Sequence, residues 1–252
     1  MSRPNRTGSH PSTQAIFEEL DAMLREAADP ERAANEKAYL KSPIEHYGAR
    51  VPAIRRAVKA VERRYPDLPA PRLLALARRL WKSDVHERRM AAVILLQTRA
   101  EDLRPADFAF VEAMIRESFT WAYVDPLAGS VAGALIERYP ELTGELDRWA
   151  ADESFWVRRS ALLALLGPIR RGAGDWLRFT RYADGMLAER EFFIRKAIGW
   201  VLREASRKRP ERVRKYVGAR LDRLSGLTFR EAIKHLPEAE REELRSAFAR
   251  RR

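Results

Sequence analysis

A short pattern recurs six times along this chain: an anchor residue, one or two charged residues, and then a helix-forming stretch rich in Ala and Leu. The anchors are Val51, Glu87, Val124, Val157, Ile194 and Phe229, spaced 36, 37, 33, 37 and 35 residues apart. The segments behind them include VPAIRRAVKAV, ERRMAAVILL, VRRSALLALL and IRKAIGWVLRE, and a Tyr-Pro-Asp/Glu-Leu tag occurs at Tyr65–Leu68 and again at Tyr139–Leu142. A period of this length is the mark of stacked helical hairpins, because one hairpin cannot bury its apolar face alone. The expected fold is all-α, an α-solenoid of about six HEAT-like hairpin repeats.

Composition agrees. Strong helix formers dominate, and no alternating β-branched run bounded by Asn-Gly or Asp-Gly turns stands out. With 252 residues, 46% of them apolar, the chain can bury a substantial core. The polar opening MSRPNRTGSHPST reads as a disordered tail over residues 1–13, leaving 14–252 as a single domain. It lacks the apolar stretch of a secretory signal, and no run reaches membrane-span length, so a cytoplasmic protein is expected, with a monomer as the default. The absence of Cys removes disulfides and thiolate metal sites, and His10, His46, His86 and His235 show no metal-ligand spacing. No metal is expected in the mechanism.

The formal net charge is +12, and basic residues recur once per repeat near the starts of the second helices. A solenoid aligns such residues into a stripe on its concave wall, suited to a phosphate backbone. The alternative is arginine that only solvates helix faces.

The residue after the anchor is Arg88, Arg158, Arg195 and Arg230 in four copies, but Asp125 in the third. Asp before Pro126 can be a helix N-cap with Pro at the first helical position. Capping does not account for Trp121 four residues earlier. Trp200 is a second unusual aromatic: at 100° per residue it falls roughly 140° from the stripe formed by Ile194, Ala197, Ile198, Val201, Leu202 and Ala205. It shares that face with Lys196 and Arg203, and Gly199 beside it costs a helix roughly 1 kcal/mol relative to Ala, which close approach of a backbone or a ligand would explain. Arg159 projects away from the buried side defined by Val157, Ala161, Ala164 and Leu165, where it can face a ligand or only solvent. A carboxylate in a cationic groove weakens polyanion binding unless it meets a developing positive charge, as at a sugar whose glycosidic bond is breaking. That points to base excision from DNA.

Three segments, SFTWAYVD at Ser118–Asp125, EFFIRKAIGWVLRE at Glu191–Glu204 and FREAIKHL at Phe229–Leu236, resemble the AlkD-like DNA alkylation repair glycosylases, and LWKSDVHERRMAAVILL at Leu80–Leu96 also fits. The resemblance runs from about Ala33 to the end. It implies a HEAT-like solenoid that excises positively charged N3- and N7-alkylated purines, such as 3-methyladenine and 7-methylguanine, from double-stranded DNA without base flipping and without a cofactor. It also implies that Asp125 is the catalytic aspartate, that Trp121 and Trp200 rest against the deoxyribose, and that Arg159 holds the DNA backbone at the lesion. Arg55, Lys59, Arg88, Arg89, Arg195, Arg203 and Lys234 become the expected phosphate contacts, with Arg55, Lys59 and Arg203 the better matched. Thr120, Ala122 and Pro126 depart from the family's usual turn. A non-catalytic binder of DNA structure on the same solenoid is the first alternative, and a protein-interaction scaffold is the second.

Overall fold

The computed structural model describes residues 11–251, so the first ten residues of the expected tail lie outside the described residues. Its last residue, Thr13, already opens the first helix, where Ser12 Oγ accepts from Ala15 N at 3.1 Å. The chain divides into two compact units that meet between Leu103 and Arg104. Both are helical. Apart from one parallel bridge between Glu45 and Val85, the described residues contain no strand.

The first unit holds α1 (Thr13–Glu26), α2 (Pro30–Leu40), α3 (Val51–Arg64), α4 (Ala70–Trp81) and α5 (His86–Thr98). Asp29 caps α2 through Arg32 N at 3.1 Å, and Pro30 follows at the first helical position, where its missing N–H costs nothing. α4 packs on α5, and α1 on α3 and α4, so that Leu20, Leu24, Ile54, Leu73, Leu76 and Leu80 are each almost fully buried. The loop between α2 and α3 runs close against α2. Gly48 sits there at φ +86°, and a Cβ on it would lie 2.0 Å from the Asp29 carbonyl, so no other residue fits. The buried carboxylate of Glu87 ties the same loop to α5, accepting from the backbone N–H groups of Tyr47, Gly48 and Ala49 at 2.9, 2.6 and 3.1 Å.

The second unit holds α6 (Phe108–Arg116), α7 (Trp121–Pro126), a π-helical turn at Leu127–Ala132, α8 (Gly133–Arg138), α9 (Thr143–Ala150), α10 (Phe155–Ala164), α11 (Leu166–Arg170), α12 (Trp176–Met186), α13 (Phe192–Ser206), α14 (Pro210–Gly218), α15 (Gly226–Ala232) and α16 (Glu238–Arg250). α10 packs on α9 and α13, and α13 packs on α15. Tyr123, Val124, Leu135, Trp149, Leu162 and Phe179 are fully buried here.

All six sequence anchors fall within the first four residues of a helix. Val51 opens α3, Glu87 is second in α5, Val124 fourth in α7, Val157 and Ile194 third in α10 and α13, and Phe229 fourth in α15. The 33–37-residue period is therefore the spacing of these helix starts, and the all-helical repeat architecture expected from it is the one observed.

Candidate active site

The third repeat departs from its neighbours in backbone as well as in sequence. α7 begins at Trp121, with Thr120 Oγ1 accepting from Ala122 N at 3.3 Å. Asp125 is thus in the body of a helix and not at its N-cap, and Pro126 is interior rather than at the first helical position. Proline there removes the donor that would close on the Ala122 carbonyl. The helix responds by widening into the π turn at Leu127–Ala132, a device common beside functional sites. One helical turn before Asp125, on the same face, stands Trp121, which is 38% exposed.

The Asp125 carboxylate is met from α10 by Arg159. Nε donates to Oδ1 at 2.8 Å and Nη2 donates to Oδ2 at 2.9 Å, a bidentate pair, while Nη1 donates to the Phe193 carbonyl in the first turn of α13. The Arg159 side chain is only 3% exposed, whereas the carboxylate retains 16%. This corrects the expectation that Arg159 projects outward toward a ligand. Its guanidinium is buried and three of its N–H groups are engaged, two of them on Asp125 and one on the Phe193 carbonyl. The helical wheel failed because α10 is flanked on its outer side by α7 and α13, which bury that face too.

Trp200 lies on α13, seven residues from Phe193, hence on the same side of the helix about 10 Å further along. It is half-buried rather than core, as its helical position predicts. Gly199 beside it is explained by the neighbouring helix: a Cβ there would meet Glu231 Cβ at 2.6 Å and the Thr228 carbonyl at 3.2 Å, both on α15. The cations on this face are not free. Glu231 takes Lys196 at 2.5 Å and also Arg203, which lies 3.5 Å from Glu204 as well.

The expected phosphate contacts divide accordingly. Arg55 and Lys59 stand exposed on α3, and Lys234 is exposed just beyond α15; among the described residues none of the three has an ion pair or a side-chain hydrogen bond. Arg88 instead clamps Asp21, Nε and Nη2 each at 2.6 Å from a carboxylate oxygen. Arg89 donates to the Ser83 carbonyl at 2.7 Å and stacks 5.2 Å above Trp81. Arg195 donates to the Glu189 carbonyl at 2.8 Å. Arg88 and Arg203 are thus spent on carboxylates, which their repeat positions alone do not reveal.

The aromatic wall beside Arg159 is absent from the sequence reading. Phe193 packs against Trp156 at 4.8 Å and stacks with Phe155 at 6.3 Å, and Phe192 next to it is 55% exposed. The Phe-Phe pair in EFFIRK was its available signal. The structure also joins His46 and His86, 40 residues apart, as stacked rings with centroids 4.3 Å apart. Burial, reinforced by the neighbouring His46 ring, pushes His86 down to about 4.

A part-exposed carboxylate fixed by a buried guanidinium and flanked by a solvent-facing indole defines a helical-repeat protein with a site for stabilising positive charge. Residues 20–236 match the family described as DNA alkylation repair enzyme. The chain belongs to that family, which places it in DNA alkylation repair. Its fold is similar to that of a predicted DNA alkylation repair enzyme from Enterococcus faecalis, with a TM-score of 0.75 at 23% identity, covering 84% of this chain and 97% of the other. It is also similar to AlkD2 from Streptococcus mutans, with a TM-score of 0.58 at 17% identity over 88% of this chain and 99% of that one. The smu.31 protein of Streptococcus mutans UA159 has a TM-score of 0.56 at 16% identity, covering 88% of this chain and all of that one. No curated protein matches the sequence.

Proposed function

We propose that this protein is a monofunctional DNA glycosylase that hydrolyses the N-glycosidic bond of positively charged N3- and N7-alkylated purines in duplex DNA, without base flipping, as a step of base excision repair. The observation that carries the reading is the Asp125 carboxylate, locked in direction by Arg159 yet still open to solvent one helical turn from Trp121. Each carboxylate oxygen keeps a lone pair beyond its bond to Arg159. A cationic alkylpurine is already a good leaving group, so no general acid is required. As the bond breaks, its electrons return to the base, which departs neutral, and positive charge develops on the sugar. Asp125 stabilises that charge and orients a water toward the anomeric carbon, accepting the proton the water loses. Trp121 and Trp200 supply flat surfaces for the deoxyribose, and Arg55, Lys59 and Lys234 supply free cations for phosphates. The protein acts as a cytoplasmic monomer and needs no cofactor for this reaction.

Occupation of both Asp125 oxygens by Arg159 favours one other reading, a binder of DNA structure that does not excise bases. Incubating wild type and Asp125→Asn with methylated duplex DNA and quantifying released 7-methylguanine and 3-methyladenine separates the two. Release by the wild type alone supports the glycosylase. Duplex binding with no release by either protein leaves the binder.

A further inference from the structure

The solvent-facing side of the third repeat runs from Trp121 and Ala122 to Asp125, Pro126 and Gly129, while Tyr123, Val124, Leu127 and Ala128 turn inward and are fully buried. Pro126 is the residue on that open face which the chemistry assigned to Asp125 leaves unused. A proline inside a helix withholds an N–H, and its ring presses on the carbonyl four residues back. Four residues back is Ala122, between Trp121 and Asp125.

The helix does not repair the loss. The next N–H along, that of Leu127, turns to the Tyr123 and Val124 carbonyls, and the chain then widens into the π turn at Leu127–Ala132. The Ala122 carbonyl is thus left without its helical donor on a face where carbonyls tilt out toward water. A side chain three positions further along a helix starts beside such a carbonyl. In α5, Thr98 Oγ1 lies 3.1 Å from the carbonyl oxygen of Leu95, three residues back, and 3.2 Å from that of Ile94. Asp125 stands in the same relation to Ala122, so a carboxylate and a carbonyl that has lost its donor share the open face next to the Trp121 indole.

We propose that Pro126 frees the Ala122 carbonyl to serve as the second acceptor for the water that attacks the anomeric carbon, an inference that rests on the glycosylase reading of Asp125. Asp125 alone fixes one O–H of that water and leaves it free to turn about the bond. A second acceptor fixes both protons, so that a lone pair is aimed at the sugar. One water can donate to two oxygens roughly 4–5 Å apart, given hydrogen bonds near 2.8 Å. As the water oxygen bonds to the anomeric carbon, one proton passes to Asp125 and the other stays on the new hydroxyl, held by the Ala122 carbonyl. The electron pair of the glycosidic bond leaves with the base, which departs neutral.

Pro126→Ala and Pro126→Gly both restore the N–H that closes on Ala122, and they differ in helix propensity. With duplex DNA carrying 7-methylguanine, single-turnover base release should slow about three- to tenfold in both, the worth of one hydrogen bond, with duplex affinity unchanged. The melting temperature should meanwhile rise for Pro126→Ala and rise less for Pro126→Gly, so that a loss of rate common to both does not follow stability. Adding methanol reads the second acceptor directly. Methanol has a single O–H, which it must give to Asp125, so it gains nothing from the carbonyl. The share of sugar product formed as methyl glycoside rather than abasic hemiacetal should therefore rise in both variants relative to wild type. If the wild type excises, an unchanged rate in both variants, or a slower one with no rise in methyl glycoside, would overturn the role of Ala122 and leave that of Asp125 standing. No release by the wild type, with duplex binding intact, would instead remove the glycosylase reading and this inference with it.

Discussion

Asp125 and Arg159 cannot be altered independently. The guanidinium is 3% exposed and its counter-charge is the carboxylate it clamps, so removing either charge leaves the other uncompensated. Breaking a buried pair from one side typically costs about 3–5 kcal/mol, and the 16% exposure of Asp125 places this pair toward the lower end. Asp125→Asn is therefore expected to lose excision and also to lower stability by roughly 3 kcal/mol, measured by urea unfolding; excision has to be compared at a temperature where both proteins are folded. Arg159→Lys is the sharper test of positioning. Lysine keeps the charge but loses the planar fork that fixes both carboxylate oxygens. The single-turnover excision rate should fall about tenfold or more, with duplex affinity little changed. A loss of DNA affinity with an unchanged excision rate would mean that Arg159 contacts the DNA backbone after all.

At the scale of elements, α13 owes its place to Gly199. Alanine in mid-helix ordinarily stabilises by about 1 kcal/mol, but here its Cβ would lie 2.6 Å from Glu231 Cβ and 3.2 Å from the Thr228 carbonyl. Those are the stem of a side chain and a backbone atom, neither able to swing aside, and overpacking of this kind costs about 1–3 kcal/mol. The clash wins, so Gly199→Ala should lower the melting temperature; a rise would show that α15 can give way. Between α6 and α9 the tie is Glu112. Burial alone would raise its carboxyl, but hydrogen bonds from Arg148, Trp149 Nε1 and Arg116 outweigh that and bring it down to about 2. A depressed carboxyl stabilises the fold above its unfolded value near 4.5 and loses that contribution as pH falls toward 2. Glu112→Gln should therefore flatten the stability curve across that acid window. The helix starts were legible in the sequence because every repeat obeys one period, and Trp200 was legible because a wheel locates a side chain on an isolated helix. Arg159 was misread for the same reason: a wheel knows nothing of the two helices packed against the opposite face. The interior position of Asp125 was hidden by Asp-Pro, a pair that usually opens helices and here sits inside one. His46 and His86 escaped notice because only a backbone bridge between distant loops brings them together.

At the scale of the whole molecule, the formal charge of +12 overstates what DNA can use. Salt dependence counts phosphates neutralised, at a slope near −0.9 for each on a log–log plot. An arginine already clamped by a carboxylate releases no counterion when DNA arrives unless its own ion pair breaks first. Arg88, held by Asp21 at 2.6 Å through two bonds, is such a residue, whereas Lys59 and Lys234 are exposed and unpaired among the described residues. Lys59→Ala and Lys234→Ala should each weaken duplex binding about equally for every sequence and reduce the slope by about one. Arg88→Ala should leave the slope unchanged and lower stability instead, because it removes the bidentate partner of Asp21 and leaves the carboxylate only the exposed Arg25 and the Tyr47 hydroxyl. Fluorescence anisotropy across a salt series, alongside thermal melts of the same proteins, reads both quantities. If Arg88→Ala lowers the slope as Lys59→Ala does, the Asp21 clamp opens on DNA and the repeated arginines form the phosphate stripe their spacing suggests. If only the lysines do, that stripe is in large part an internal network of ion pairs, and the free cations of α3 and the segment after α15 carry the binding.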